Sequence, residues 1–366
     1  MLEIPEFVDR EKEIKELKAV LSGRPNFVYF VYGPINSGKT VLLMKVFEEL
    51  PENYVVFYIN FRGLETRRYE DFVRAMFTVK YQGVWEKIKE KGDLLLGGVK
   101  FLERVAKKLN YTIPVPKDIL RALIGGKDEE MDCFKYLEEV MRRLVEKRKR
   151  PVFVLDELQM LKEINKNGPI LHDLFNFLVR MAKETHLCHC LCATSDCLFM
   201  DLVYNSARLE GRAKYLLVDD LEKETAFRVY EEFGFENKKL VWEYIGGKIG
   251  DIVSLFEEKK RGYSEGEALE RMLLSEVDKL DELLRRIKKV KKKIIFEGEE
   301  IEIEESGLRE SLSVFKFDEE VRKDIIDIVY RNFLIEQNIL FYNPLTGTVR
   351  PQSRLLWRAI HECVNA

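Results

Sequence analysis

Eight consecutive residues combine the side chains and the backbone freedom that phosphate binding requires. They match the pattern G-x-x-x-x-G-K-[ST] without a mismatch: Gly33-Pro34-Ile35-Asn36-Ser37-Gly38-Lys39-Thr40. The two glycines can adopt backbone angles that other residues resist, so amide N–H groups can turn inward around an anion. Lys39 then reaches the β- and γ-phosphate oxygens as a point charge, and the Thr40 hydroxyl is suited to ligate Mg²⁺. The stretch predicts a site for a nucleotide with Mg²⁺.

The segments on either side of this loop have the patterns that a phosphate-binding loop needs. Phe27–Val31 is an apolar run of β-branched and aromatic residues, which predicts a buried parallel strand. Apolar residues from Val41 to Leu50 predict an amphipathic helix that stops before Pro51, and its positive end favours phosphate. A glycine turn with an exposed lysine is the alternative, but both flanks favour phosphate binding. The residues that we expect to contact the phosphates are Gly33, Pro34, Ile35, Asn36, Ser37, Gly38, Lys39, Thr40 and Val41.

A second apolar run ends in two acidic residues. Val152–Leu155 predicts a buried strand, and Asp156 and Glu157 follow it directly. An acid at the carboxyl end of a parallel strand, beside the loop, can hold Mg²⁺. The next acid, Glu157, is placed to orient or deprotonate an attacking water. A strand followed by a capping acid is the alternative, and the upstream loop favours the metal and base roles.

Two further polar positions follow from the later strands. Leu187–Asp196 predicts another buried strand, and Thr194 and Ser195 fall at its carboxyl end, within reach of a γ-phosphate or its water. Arg212 precedes a fifth predicted strand. An arginine there can contact the γ-phosphate in its own or a neighbouring subunit, and a surface arginine before a strand is the alternative.

The composition limits the class of protein and its surroundings. The chain has 366 residues, 46% of them hydrophobic, which is enough for two or three domains with sizeable cores. The net charge is only −3, so the overall charge does not point to nucleic acid or to an acidic membrane surface. The first residues carry acid where a signal peptide is basic, and no apolar run approaches the ~20 residues of a membrane span. We expect a soluble, cytoplasmic protein without a membrane partner.

The order of these patterns divides the chain into three parts. Residues 1–218 form an α/β core with a parallel sheet and a mostly helical insertion at about 64–150. Residues 219–293 form a helical lid that ends in a charged helix, and residues 294–366 form a winged-helix-like domain. The charged helix is expected over Ser264–Lys293.

Opposite charges meet where the second part ends. A basic run, Arg285–Lys293, is followed at once by an acidic run, Glu297–Glu305. The two runs can offset each other at a solvated boundary, or the basic helix can grip the phosphates of DNA.

The last segment predicts a helix, a hairpin and a closing helix. The helices are expected over Glu319–Asn332 and Arg354–Val364, and the hairpin over Ile339–Arg350 with its turn at Asn343–Gly347. Units of this kind bind DNA in some proteins and serve as protein–protein modules in others.

Taken together, the motifs resemble those of the archaeal ATPases in the STAND branch of the AAA+-like P-loop NTPases. More distantly, the chain is similar to archaeal origin-recognition ATPases. The matching residues are Phe7-Val8-Asp9-Arg10-Glu11, Gly33–Thr40, Leu155-Asp156-Glu157, Ala193-Thr194-Ser195 and Gly211-Arg212.

The resemblance implies a parallel sheet of order 5-1-4-3-2, a helical lid and a winged helix. It assigns a sensor role to Ser195 and the conserved-arginine role to Arg212. It places Phe7, Val8 and Arg10 at the border of the adenine. Similar proteins carry a proline in the lid near the base, where this chain has Ile249.

Two functions from different classes are compatible with these patterns. The first is a slow, Mg²⁺-dependent ATPase that acts as a conformational switch, with protein partners or a nucleotide-dependent homo-oligomer. The second is a winged-helix protein that binds DNA and in which the nucleotide is mainly structural.

Overall fold

The computed structural model describes residues 10–62, 68–78, 133–162, 164, 170–296 and 298–365. Most of the predicted insertion, and the residues Phe7 and Val8, lie outside this part of the chain. The chain divides into two compact units. One contains Gly38–Val218 together with the segment that ends at Tyr32, and the other contains Asp219–Ala366 together with Gly33–Ser37.

The first unit alternates strands and helices. Its helices are α1 (Glu11–Ser22), α2 (Lys39–Glu48), α3 (Tyr69–Thr78), α4 (Cys133–Glu146), α5 (Ile170–Val179) and α6 (Cys197–Tyr204). Its strands are β1 (Val28–Tyr32), β2 (Tyr54–Asn60), β3 (Arg150–Asp156), β4 (His189–Thr194) and β5 (Ala213–Leu217). A short 3₁₀ helix, Leu158–Leu161, follows β3, and a π-helical turn, Arg180–Glu184, extends α5.

The five strands form one parallel sheet in the order β2-β3-β4-β1-β5. This confirms the predicted order 5-1-4-3-2. The strands are in register at their carboxyl ends, where Asn60 is paired with Asp156 and Tyr32 with Thr194. Because the strands are parallel, the residues that follow β1, β2, β3 and β4 emerge at the same edge of the sheet.

Apolar side chains cover both faces of the sheet, as a parallel sheet requires. On one face, α1 and α2 pack against alternate strand residues in a buried cluster that includes Leu17, Leu42, Val46, Val154 and Leu191. The opposite face is aromatic. There Phe30 meets Phe175 edge-on with ring centroids 6.2 Å apart, and Phe153 meets Phe177 at 6.0 Å. The core therefore fixes the strand ends that carry the polar residues.

The second unit is mainly helical. Its helices are α7 (Lys223–Glu232), α8 (Lys238–Ile245), α9 (Ile249–Lys260), α10 (Glu265–Val290), α11 (Glu305–Ser313), α12 (Ile328–Glu336) and α13 (Arg354–Asn365). Its strands are β6 (Lys293–Phe296), β7 (Glu299–Glu302), β8 (Val321–Arg322), β9 (Leu340–Asn343) and β10 (Thr348–Pro351). Within the described part of the chain, no helix combines the length and the apolar character needed to cross a bilayer.

The charged helix is shorter than predicted, and the two charged runs pair with each other. α10 starts with a capping box at Ser264 and ends at Val290, so Lys293 belongs to β6 and not to the helix. β6 and β7 form an antiparallel hairpin. Across it Lys293 lies 3.0 Å from Glu300, and Lys291 lies 3.6 Å from Glu302. These two pairs fit the first of the two alternatives, and contact of the basic run with DNA stays a prediction.

The hairpin near the carboxyl end of the chain is confirmed, but the helix predicted over Glu319–Asn332 is wrong. β9 and β10 are antiparallel, and β8 pairs with β10 through Val321 and Val349. The helix begins only at Ile328, where Asp327 caps it by accepting hydrogen bonds from the backbone N–H groups of Val329 and Tyr330. A β-branched residue at Val321 favours the strand. The winged-helix assignment stays a prediction.

Candidate nucleotide-binding site

The predicted phosphate-binding loop, Gly33–Thr40, has at Gly38 the backbone conformation that its glycine pattern predicts. Gly38 has φ of 89°, in the region that favours glycine, and forms the N-cap of α2. Lys39 and Thr40 are the first two residues of that helix, so both lie at its positive end. Lys39 is only 8% exposed, which is unusual for a lysine and suits a side chain that serves a bound anion. Val41 is buried in the next position of α2.

Thr40 and Asp156 meet although 116 residues separate them in the sequence. The Thr40 hydroxyl donates a hydrogen bond of 2.9 Å to Asp156 Oδ2. Asp156 ends β3, and its other oxygen, Oδ1, accepts the backbone N–H of Glu157 at 2.9 Å. A hydroxyl and a carboxylate are oxygen donors of the kind that Mg²⁺ prefers. The pair therefore fits a magnesium site, and the role stays a prediction.

Tyr58 on the neighbouring strand β2 completes the surroundings of Asp156. Its hydroxyl donates to Asp156 Oδ2 at 2.5 Å. Burial raises the pKa of Asp156, and the charge of Glu157 raises it further, whereas the hydrogen bonds from Tyr58 and Thr40 oppose that rise. Burial, followed by the negative charge of Asp156, raises the pKa of Tyr58 well above its ordinary value. Tyr58 therefore remains a proton donor that stabilises the ionised carboxylate.

Glu157 is held from two sides. Its backbone is left-handed, with φ of 59°, which turns the chain sharply after β3. Arg62 Nη2 donates to its Oε1 at 2.5 Å, and Gln159 Nε2 donates to its Oε2 at 2.6 Å. Each carboxylate oxygen has two acceptor positions, so Glu157 can still accept a hydrogen bond from a water. The side chain of Glu157 is thus fixed at the carboxyl edge of the sheet, next to Asp156.

The network continues through Thr194 and not through Ser195. Thr194 is buried at the end of β4, and its hydroxyl donates to Gln159 Oε1 at 2.7 Å. The same hydroxyl oxygen accepts the backbone N–H of Asp196 at 3.1 Å. Ser195, the predicted sensor, is only partly buried, one residue beyond the strand. The structure therefore joins Thr194 to the base candidate through Gln159.

Arg212 is not brought together with these residues. It immediately precedes β5, whose first residue, Ala213, pairs with Val28 at the start of β1. Arg212 is thus at the amino edge of the sheet, whereas the loop, Asp156 and Glu157 lie at the carboxyl edge. Its guanidinium donates to the carbonyl of Arg208 at 3.0 Å. This position favours the alternative of a neighbouring subunit over the same subunit, and the role of Arg212 stays a prediction.

The remaining predictions concern the residues that border the adenine and the lid position Ile249, and both stay predictions. Arg10 is 6% exposed, forms the N-cap of α1 and pairs with Glu13 at 2.9 Å, whereas Phe7 and Val8 lie outside the described residues. Ile249 is buried and begins α9, a position where proline is also well tolerated.

Four residues of the network were not assigned a specific role from the sequence, although one of them, Thr194, was noted beside Ser195. They are Tyr58, Arg62, Gln159 and Thr194. A signal was present in each case, since polar residues at the ends of strands β2, β3 and β4 must share one edge. Which of them face the site depends on side-chain packing, which the spacing alone does not give.

The chain is similar to known proteins along most of its length. Residues 7–255 match the model of a family described as an ATPase domain predominantly from Archaea. Residues 266–364 match the C-terminal domain of the MJ1010-like ATP-binding proteins. The ATP-binding protein MJ0075 of Methanocaldococcus jannaschii is 38% identical over 373 residues, which cover 99% of each chain.

A solved structure shows the same fold at lower identity. The Walker-type ATPase PABY2304 of Pyrococcus abyssi aligns with a TM-score of 0.60 and 16% identity, over 98% of this chain and 99% of its own. The ORC2 protein of Aeropyrum pernix, in its ADPNP–ADP complexes, aligns with a TM-score of 0.47 and 12% identity, over 100% of this chain and 97% of its own. The expected resemblance to archaeal ATPases is confirmed, whereas membership of the STAND branch stays a prediction.

Proposed function

Because the chain belongs to the family of ATPase domains found predominantly in Archaea, we propose that it hydrolyses ATP with Mg²⁺ as a slow conformational switch. ATP binding follows from the family and from relatives such as MJ0075. What we propose in addition is that the protein hydrolyses ATP, that hydrolysis requires Mg²⁺, and that it changes the conformation of the protein.

The observation that carries the proposal is the convergence of Thr40, Asp156 and Glu157 at one edge of the sheet. Thr40 and Asp156 are 2.9 Å apart and would hold Mg²⁺, which supplies charge neutralisation at the phosphates when bound. Lys39, at the start of α2, supplies a positive charge to the same phosphates. Glu157 would accept a proton from the attacking water or orient that water.

The contacts of Glu157 support slow turnover. Both of its oxygens are engaged, one by the Arg62 guanidinium and the other by the Gln159 amide. An attacking water must therefore share these oxygens with donors that are already in place. Full activity would need Arg62 to turn toward another anion, for which a bound phosphate is the natural candidate.

The decisive experiment compares wild type with Glu157→Gln in steady-state ATP hydrolysis and in ATP binding. The variant keeps the size of the side chain and removes its basicity, so kcat should fall by ~10² to 10⁴ while ATP binding is retained. Glu210→Gln is the matched control, since Glu210 is exposed. Undiminished hydrolysis by Glu157→Gln would exclude Glu157 as the base.

The same assay distinguishes the alternative function. Duplex DNA is added at two salt concentrations, because contacts with DNA phosphates weaken as salt rises. Stimulation of turnover that fades with salt would support the DNA-binding alternative. The pairing of Lys291 and Lys293 with Glu302 and Glu300 favours the opposite result, since these charges already have partners.

A further inference from the structure

Gln352 reaches the phosphate-binding loop from the far end of the chain. It follows β10 directly and is 7% exposed. Its Oε1 accepts a hydrogen bond from the backbone N–H of Ile35, with an N···O distance of 3.3 Å. Ile35 is in the loop segment Gly33–Ser37, which belongs to the same compact unit as residues 219–366. A backbone amide of the loop is thus bound by a side chain more than 300 residues later.

The orientation of the Gln352 amide is fixed by its surroundings. Its Nε2 donates to the carbonyl of Leu340 at 3.1 Å, so the other end of the amide, Oε1, must face a donor. The backbone N–H of Gln352 donates to the carbonyl of Ile339 at 2.9 Å. Its carbonyl accepts the Lys248 Nζ at 2.8 Å, and Lys248 is itself 5% exposed. Three hydrogen bonds, with Ile339, Leu340 and Lys248, therefore hold Gln352 in the geometry that accepts from Ile35.

A second contact restrains the same part of the loop. Gly250, in the first turn of α9, lies so close to Asn36 that an added Cβ would come within 2.9 Å of the Asn36 Cβ. Asn36 has a left-handed backbone, with φ of 58°. Two successive loop residues are therefore positioned by later residues of their own compact unit. Ile35 is held by the hydrogen bond to Gln352, and Asn36 by close packing against Gly250.

We propose that Gln352 is a positioning residue that couples nucleotide binding to the C-terminal module, which we define as residues 305–365. The inference rests on the proposed function, because it assumes that the loop binds a nucleotide. The loop binds phosphates through backbone N–H groups, whose directions depend on the backbone between Gly33 and Gly38. By holding Ile35, Gln352 preorganises that backbone and strengthens nucleotide binding. Coupling is reciprocal, so a bound nucleotide must in turn stabilise the contact between the loop and the module.

The first test uses wild-type protein and ADP with Mg²⁺, which avoids turnover. Binding is measured by calorimetry, and hydrogen exchange is then compared with and without ADP. We expect protection of residues 33–40 and, in addition, of residues 340–352. If ADP binds and protects only the loop, the inference is overturned while the proposed function stands. If ADP does not bind at all, both are overturned.

The second test removes the amide without changing the size of the side chain greatly. Gln352→Met should weaken ADP binding about fivefold, as expected for the loss of one intramolecular hydrogen bond, with kcat at saturating ATP unchanged. It should also abolish the ADP-induced protection of residues 340–352. Gln337→Met is the matched control, because Gln337 is exposed at the end of α12 in the same module. If Gln352→Met keeps the ADP affinity of wild type and the ADP-induced hydrogen-exchange protection of residues 340–352, the coupling is contradicted.

Discussion

Two regions of this molecule are rich in charged and polar side chains, but they are built in opposite ways. We call the first the catalytic edge and define it by Thr40, Tyr58, Asp156, Glu157 and Thr194. We call the second the charged hairpin, which spans residues 288–305. At the catalytic edge Asp156 is 2% exposed and accepts hydrogen bonds from two different elements. In the charged hairpin Lys293 and Glu300 form a simple pair and are 54% and 62% exposed.

The difference shows that convergence and burial, more than the density of charge, indicate where chemistry can occur. An exposed ion pair is screened by water and salt and typically contributes ~1 kcal/mol or less. A buried carboxylate must be stabilised by specific donors, and loss of one donor leaves a costly unpaired acceptor. Substitutions at the catalytic edge should therefore have large effects, whereas substitutions in the charged hairpin should have small ones.

The largest effect is expected at Asp156. Asp156→Asn removes the charge that would hold Mg²⁺ with Thr40, and turnover should fall by at least ~100-fold because the metal contributes several kcal/mol. Mg²⁺ titration of ATP hydrolysis measures the loss. Asp173→Asn, at an exposed position of α5, is the control. An active variant with an unchanged Mg²⁺ requirement would place the metal elsewhere.

Tyr58→Phe should have an intermediate effect that depends on pH. Loss of the hydroxyl removes a donor to Asp156, so the already raised pKa of that carboxyl should rise further. Since Mg²⁺ needs the ionised form, protons compete better in the variant, and metal affinity should be lost at a higher pH than in wild type. A hydrogen bond to a charged group corresponds to a change in Mg²⁺ affinity of ~10-fold or more.

The measurement for Tyr58→Phe is Mg²⁺ affinity in the presence of ADP between pH 5.5 and 8. Tyr29→Phe on strand β1 serves as the control, since β1 does not pair with the strands that carry Tyr58 and Asp156. A pH profile of Tyr58→Phe that matches wild type would show that Asp156 does not depend on Tyr58.

Thr194 and Ser195 are consecutive residues, so paired variants test which of the two side chains supports hydrolysis. Thr194→Val keeps the shape of the side chain but leaves Gln159 Oε1 without its donor, and we expect kcat to fall about fivefold to tenfold. Ser195→Ala should change kcat by less than twofold, because the network passes through Thr194. The two variants are compared in single-turnover hydrolysis. A larger loss in Ser195→Ala would restore the sensor role to Ser195.

The sequence predicted those features of the catalytic edge that depend on local pattern. The loop Gly33–Thr40 is contiguous, and Asp156 follows an unbroken apolar strand, so both could be found within windows of about ten residues. The sheet order came from resemblance to archaeal ATPases and was confirmed. By contrast, Tyr58 lies 98 residues from Asp156 and Arg62 lies 95 residues from Glu157. Contacts over such separations follow from register and packing, which no local spacing encodes.

The errors have equally specific causes. The helix over Glu319–Asn332 was predicted from apolar residues at helical spacing. That spacing does not take account of Asp327, which caps the helix that begins at Ile328. The role of Arg212 came from the resemblance and stays a prediction, and the parallel pairing of β5 with β1 places this residue at the amino edge of the sheet. Gln352 had no recognisable motif, since its partner is a backbone amide.

The smallest effect is expected in the charged hairpin. The triple variant Lys288→Ala, Lys291→Ala, Lys293→Ala removes three lysines whose partners are Glu305, Glu302 and Glu300. All three pairs are solvated, so the free energy of unfolding should change by less than ~1 kcal/mol per pair, and ATP turnover should stay within twofold of wild type. Urea unfolding and the hydrolysis assay measure these quantities, with the corresponding glutamate variants as controls. If the lysine variant instead loses a salt-dependent affinity for duplex DNA, the pairs are not simply structural. The exposed lysines would then bind DNA phosphates. The two regions would differ in the partner that they bind, and both would be functional.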